Sequence, residues 1–338
     1  MISRTDTILS VRELRTEFRG GRGNVRVLDD ISFDVGRGRI VGLVGESGSG
    51  KSMTALSLMG LVPRPQGQVS AKSILLDGTD LATLSPDGMR RIRGNEISMV
   101  FQEPMTSLNP VRRIWDQVGE PLAVHHGLGR RAIRDRVLEM FELVGIPEPK
   151  ARLEAYPHEL SGGLRQRAMI AMGLICEPKL LIADEPTTAL DVTTQSQILK
   201  LMLDLRDRVG TAIIMITHDL GIIAEMCDEV NVMYAGQIVE QADVFDLFER
   251  PSHPYTRGLL ASIPKAGAAR ATKRMPSIPG MVPNLAKLPP GCRFGPRCGD
   301  AMPVCEQPPG LAGLGRGHVA RCWLHASSPA TCAEGAAS

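Results

Sequence analysis

An α/β fold around a central sheet follows from three features of this chain. Short β-branched runs alternate with helix-period stretches from residue 8 to 250, a glycine-rich loop sits between a strand-like and a helix-like run, and another apolar strand ends in two adjacent carboxylates. The strand candidates are 40–44, 97–101, 180–183, 212–217 and 230–234. Strand signals vanish between 114 and 176, where segments such as 130–144 carry apolar residues at helical spacing, so an inserted helical subdomain is expected there.

The glycine-rich loop is Gly45-Glu46-Ser47-Gly48-Ser49-Gly50-Lys51-Ser52, a match to G-x-x-x-x-G-K-[ST]. Glycines let the backbone curl so that successive N–H groups point at phosphates, Lys51 reaches the β/γ-phosphates, and the Ser52 hydroxyl is a ligand for Mg²⁺. A nucleoside triphosphate is therefore the expected ligand. The run Leu180-Leu181-Ile182-Ala183-Asp184 has the form of a buried strand that delivers a carboxylate to the metal, and the next residue, Glu185, is placed to polarise the water that attacks the γ-phosphate. A third segment, Leu160-Ser161-Gly162-Gly163-Leu164-Arg165-Gln166-Arg167, reads as a helix start. Ser161 serves as N-cap, and the glycines leave backbone N–H groups open to an anion. A second phosphate-binding helix start beside a complete phosphate loop suggests that two copies meet, each capping the other's ATP.

Lysine plus arginine number 39 against 37 aspartate plus glutamate, and no block of like charge occurs, which argues against nucleic-acid binding by bulk electrostatics. No run of eighteen apolar residues exists and the start lacks a signal-peptide core, so the chain is expected neither to span a membrane nor to be exported by that route. After Arg250 the composition changes: 13 of the 24 prolines lie from Pro251 onward. A separate, loop-rich, core-poor extension is expected there, in need of a staple. Five of the seven cysteines (Cys292, Cys298, Cys305, Cys322 and Cys332) crowd this region, whereas Cys176 and Cys227 lie in apolar helical stretches as small buried hydrophobes. Residues 326–338, with Cys332, read as a disordered tail.

Taken together these motifs resemble the ATPase subunit of an ATP-binding cassette (ABC) transporter. The resemblance covers about residues 8–250, and Leu160 to Gln166 matches the family signature apart from Leu164, where methionine or glutamine is common. It implies a P-loop NTPase cassette: a RecA-like core sheet, an antiparallel β subdomain, a helical subdomain at about 114–176, and here a cysteine-containing extension at 251–325. Gln102 in Phe101-Gln102-Glu103-Pro104 matches the Q-loop glutamine, a contact to Mg²⁺ and the attacking water. Ala189-Leu190-Asp191 matches the D-loop that crosses to the partner, and His218 matches the switch histidine that meets the γ-phosphate. Phe18 is the residue placed to stack on adenine. None of Lys51, Asp184, Glu185 and His218 is degenerate, so genuine hydrolysis is expected.

Three stretches, 94–110, 184–193 and 253–260, are similar to the oligopeptide, dipeptide and nickel importers, and 278–280 with 291–298 resemble the tail of the peptide-type subunits. Peptide import is thus favoured, with nickel, glutathione or opine import and a soluble non-transport ABC ATPase as alternatives. The resemblance implies a second ATPase subunit, a paralogue or a copy of this chain, two membrane permeases, an external binding protein, and a peripheral position on the cytoplasmic face of the cell membrane. No nucleic-acid partner is expected. Cys292, Cys298, Cys305 and Cys322, separated by five, six and sixteen residues, lack the close pairs of structural zinc. A [4Fe–4S] cluster tolerates such spacing and is what the resembling subunits imply, zinc and a reduced metal-free loop being the other readings.

Overall fold

The structure is a computed structural model describing residues 6–20, 23–102, 107–188, 190–263 and 277–325. Its strands are, in chain order, β1 (Thr7–Gly20), β2 (Gly23–Gly36), β3 (Ile40–Val44), β4 (Gly67–Ser70), β5 (Ser73–Leu76), β6 (Thr79–Asp80), β7 (Ile97–Val100), β8 (Leu180–Asp184), β9 (Ala212–Thr217), β10 (Glu229–Tyr234), β11 (Gln237–Asp243), β12 (Ala312–Gly315) and β13 (His318–Ala320). They form two sheets. One is antiparallel, ordered β2-β1-β5-β6 with β4 also on β1, and the other is ordered β12-β13-β11-β10-β3-β9-β8-β7.

In the second sheet the neighbours from β10 to β7 all pair in parallel. Such strands are covered on both faces, which is why β3, β8 and β9 read as unbroken apolar runs. Alternate side chains of β8 serve different cores. Leu181 and Ala183 pack with the helices, while Leu180 and Ile182 face the side capped by the antiparallel sheet. Because the four parallel strands β3, β7, β8 and β9 run the same way, their C-terminal ends deliver residues to one edge, the usual crevice for ligands in open α/β sheets.

Among the described residues no strand lies between β7 and β8. Helices Ile114–Val118, Glu120–His126, Arg130–Leu143, Pro149–Arg152 and Gly162–Leu174 occupy that stretch. Gly119 permits their close packing, since a Cβ there would fall 2.2 Å from Ile133 Cγ2. No helix among the described residues is long and apolar enough to cross a membrane.

The extension is less loop-like than its composition suggests. Hairpin β12–β13 pairs onto the edge strand β11, with Glu240 opposite Ala320. It is also tied to the cassette through apolar packing. Tyr255, His253 and Phe294 are buried in the principal core, and Phe294 meets the Tyr234 ring edge-on at 5.2 Å. The tail 326–338, with Cys332, lies outside the described residues.

Candidate active site

The loop 45–52 joins fully buried β3 to the helix Lys51–Leu58. Its glycines are required by geometry. Gly45 has φ +152° and a Cβ there would fall 2.2 Å from Met233 O, while Gly50, at φ +110°, caps the helix against Leu28. Ser47 and Gly48 are exposed, whereas Ser49 is buried with its Oγ lacking a partner. Lys51 is only 7 % exposed and donates from Nζ to Gly45 O at 2.7 Å and to Glu46 O at 3.1 Å. Burial lowers its pKa, against the pull of the Glu185, Asp184 and Glu46 carboxylates.

At the end of β8, Asp184 is 5 % exposed and accepts a 3.2 Å hydrogen bond from Ser52 Oγ. Desolvation pushes its pKa up, as does Glu185, while Ser52 and Lys51 pull it down. A buried carboxylate beside a hydroxyl, with one hydrogen-bond donor among the described residues, is a fitting pair of hard oxygen donors for Mg²⁺. Glu185 turns away from Asp184 through a left-handed backbone, φ +47°, anchored by its N–H to Ile216 O at 2.9 Å. Three side chains then hold its carboxylate. Gln102 Nε2 donates to Oε2 at 2.8 Å, Thr188 Oγ1 to the same oxygen at 2.9 Å, and His218 Nδ1 lies 3.0 Å from Oε1. Burial alone would raise the Glu185 pKa, but His218, Thr188 and the nearby Lys51 charge leave it below its ordinary value.

Lys51, Ser52, Gln102, Asp184, Glu185 and His218 are therefore brought to one sheet edge by β3, β7, β8 and β9. The signature residues lie elsewhere in the chain's own fold. Ser161 caps helix Gly162–Leu174 by accepting from Leu164 N at 3.3 Å, and Asp191 caps helix Val192–Val209 by accepting from Thr194 N at 2.9 Å. Both helix starts are exposed, and they touch: a Cβ on Gly163 would meet Thr194 Cγ2 at 2.9 Å. Among the described residues no hydrogen bond joins Ser161, Gly162, Gly163 or Asp191 to the Glu185 cluster. Phe18 is half-buried on β1, paired with Val25 and Gly67. Glu103, Pro104 and Ala189 lie outside the described residues.

Residues 28–188 match the ABC transporter family, and residues 239–305 match the oligopeptide/dipeptide transporter C-terminal region. A probable peptide ABC transporter ATP-binding protein of Sinorhizobium fredii is 51% identical, over 95% of this chain and 96% of its own length. The chain belongs to the ABC transporter ATP-binding proteins. The oligopeptide transport ATP-binding protein AppD of Bacillus subtilis is 49% identical to this ABC protein, over 94% and 97% of the two chains. Among solved structures, CbiO1 of Clostridium perfringens, part of an ABC transporter complex, superposes with TM-score 0.61 at 31% identity over 72% of this chain and 92% of its own. The cassette MJ0796, solved as a dimer in a post-hydrolysis state with ADP and Pi, gives TM-score 0.62 at 25% identity over 70% of this chain and 98% of its own.

Three contacts of the ABC protein's site escaped motif reading. Thr188 lies inside a stretch already singled out, and only its hydrogen bond to Glu185 distinguishes it. Tyr255 accepts from Glu46 N at 2.8 Å, and Arg297 pairs with the Glu46 carboxylate at 2.6 Å, although more than two hundred residues separate each from the loop. No local spacing signals such pairs.

The expected four-thiolate centre finds support only in the proximity of its cysteines. Cys292, Cys298, Cys305 and Cys322 do come within electrostatic reach of one another, and burial foremost raises the pKa of Cys292, Cys298 and Cys322. Yet among the described residues no group of three His, Cys, Asp or Glu side chains is arranged to hold a metal ion. Local bonds direct the chain instead: Cys305 Sγ accepts from Met302 N at 3.5 Å, and Cys292 N donates to Cys305 O at 2.8 Å. Cys227 is buried in the core as expected, and half-buried Cys176 has its pKa pushed up to about 11 by desolvation.

Proposed function

We propose that this chain is the ATP-hydrolysing subunit that energises import of di- and oligopeptides through an ABC transporter. The observation that carries the hydrolytic reading is the Glu185 carboxylate, held by Gln102, Thr188 and His218 beside the Ser52–Asp184 pair. In this reading the N–H groups of Gly45, Glu46, Ser47, Gly48, Ser49 and Gly50 form the loop that cradles ATP, with Lys51 leaving its resting carbonyls for the β/γ-phosphates. Ser52, Asp184 and Gln102 form the Mg²⁺ side of the site; the ion, when bound, neutralises phosphate charge. Glu185, its pKa below the ordinary range, stays an acceptor able to orient the attacking water. His218 contacts the γ-phosphate, and Phe18 stacks on the adenine.

Ser161, Gly162, Gly163 and Asp191 act on the ATP of a second subunit, which accords with the exposure of Ser161, Gly162 and Asp191 and with the lack, among the described residues, of hydrogen bonds from them to the chain's own carboxylate cluster. The peptide substrate class is supported by the names of the relatives and by the match at 239–305. A groove on the helical subdomain, lined by apolar Trp115, Val124 and Leu128 and by charged Arg112, Glu120 and Arg130, suits a permease helix, and with it a peripheral position on the cytoplasmic face of the membrane. In domain terms we place the cassette at 8–250, its helical part at about 114–176, and the extension at 251–325. A [4Fe–4S] cluster in the extension has the mutual proximity of its four thiols in its favour and their arrangement against it. Anaerobic iron and sulfide analysis decides it.

The test of function is co-purification of the tagged chain from membranes, followed by reconstitution with what accompanies it. ATP hydrolysis stimulated by a peptide-loaded binding protein supports the reading. Recovery without membrane proteins overturns it.

A further inference from the structure

Glu46 is the only acidic residue in the loop 45–52. Its carboxylate is a like charge for a triphosphate, and it is near enough to Lys51 to act on that residue's charge. The extension answers this charge. Arg297 Nη1 lies 2.6 Å from Glu46 Oε2 and Nη2 lies 3.0 Å from Oε1, a two-pronged pair in which the arginine side chain is 5 % exposed and the glutamate 31 %. The fork is itself fixed from several sides. Nε donates to Pro279 O at 2.8 Å, Nη1 also reaches Tyr234 Oη at 3.3 Å, and the guanidinium lies 5.8 Å from the Tyr234 ring centroid. Meanwhile Tyr255 Oη takes the Glu46 N–H, and Glu46 O receives Lys51 Nζ and Ser49 N. The N–H, the carbonyl and the carboxylate of Glu46 are thus all engaged, the first and the last of them by residues beyond 250.

We propose that Arg297 is a positioning residue of the ATP site: together with Tyr255 it pins Glu46 at the start of the phosphate loop and cancels its charge, so that the polyphosphate meets the Lys51 charge without an opposing carboxylate. This rests on the reading of 45–52 as the triphosphate cradle. It also gives the extension a role at the nucleotide site rather than at the substrate, because Arg297 is delivered by the turn Gly295–Arg297 next to Cys298.

The test is calorimetric MgATP binding to the full chain, with thermal melts beside it, for wild type, R297Q and E46Q/R297Q. Leaving Glu46 unpaired raises Kd about tenfold, a loss that narrows in high salt. Removing the carboxylate as well recovers most of that affinity, an outcome that loss of packing alone does not produce. R297Q binding like wild type, or E46Q/R297Q binding as weakly as R297Q, overturns the proposal. Should R297Q not fold, R297K carries the test: it keeps the charge and loses the fork, so a loss within about threefold is expected and a tenfold loss overturns charge cancellation. Wild type that binds no MgATP sinks the cradle reading itself, and this inference with it.

Discussion

His218 Nδ1 stands 3.0 Å from Glu185 Oε1, although 33 residues separate them in the chain. β8 and β9 are parallel neighbours, with Asp184 opposite Ile216, so each strand releases its functional residue at the same level of the sheet edge. With Gln102 and Thr188 on the other oxygen, the carboxylate is fixed from two sides while its neighbour Asp184 stays buried beside Ser52.

From this arrangement, Glu185→Gln should retain MgATP binding and lose turnover by about 10²–10⁴-fold, the usual share of a positioned general base. Steady-state hydrolysis and nucleotide binding, measured on the same preparation, check it. Retention of most activity removes Glu185 from the base role.

Ser161→Arg should leave MgATP binding to the isolated chain intact, because among the described residues no hydrogen bond joins Ser161 to the chain's own carboxylate cluster and its hydroxyl caps an exposed helix. ATP-driven dimerisation of the Glu185→Gln background should vanish. Light scattering with and without ATP reports it, and a dimer that persists contradicts the trans role.

Two loop glycines should behave differently on substitution. Gly45→Ala drives a Cβ to 2.2 Å from Met233 O and should cost more than about 2 kcal/mol, whereas Gly48→Ala meets open space and pays only for its φ of +78°, about 1 kcal/mol. Denaturant unfolding separates the two, and equal losses refute the steric account.

His253 makes stability pH-dependent. Burial first, then the nearby charges of His325 and Arg257, lower its pKa to about 3, and its bare Nδ1 accepts from Tyr255 N at 3.0 Å. The unfolded chain therefore binds a proton that the folded chain refuses between pH 6.5 and about 3. The stability is full above 6.5 and is lost as pH falls through that window. Between pH 7 and pH 5 wild type should lose about 2 kcal/mol more than His253→Asn, which keeps a capping oxygen. Parallel urea titrations at the two pH values measure this, and identical pH slopes dismiss it.

Glu240 is fully buried and accepts from Ser252 N at 2.7 Å and His253 N at 2.9 Å, with His318 Nε2 at 2.7 Å. Glu240→Ala strands those groups, so a loss of about 3–5 kcal/mol is expected, together with early proteolysis within the extension. Limited proteolysis followed by mass mapping reads it. Cleavage that starts in the helical subdomain instead contradicts this assignment.

That Lys51, Ser52, Asp184 and Glu185 gather at one site was to be expected from the chain alone. A phosphate loop needs its glycines and lysine at fixed local offsets, and a buried strand that must end in a carboxylate has few ways to be written. The central strands announced themselves too, as short apolar runs such as Ile40–Val44, whereas their parallel pairing was shown only by the fold. What needed the tertiary structure was every relation across sequence distance. The grip of Gln102, Thr188 and His218 on Glu185 depends on strand order. The hairpin β12–β13 forms only because β11 offers it an open edge, and its weak glycine-rich pattern, Ala-Gly-Leu-Gly, carries little strand signal of its own. Cysteine spacing suggested a metal staple, while the fold anchors the extension through Tyr255, Phe294, Arg293 and Arg297. Local spacing encodes local geometry, so motifs survive reading in one dimension; the charge on Glu46 and the arginine that answers it, 251 residues away, meet only when the chain is folded.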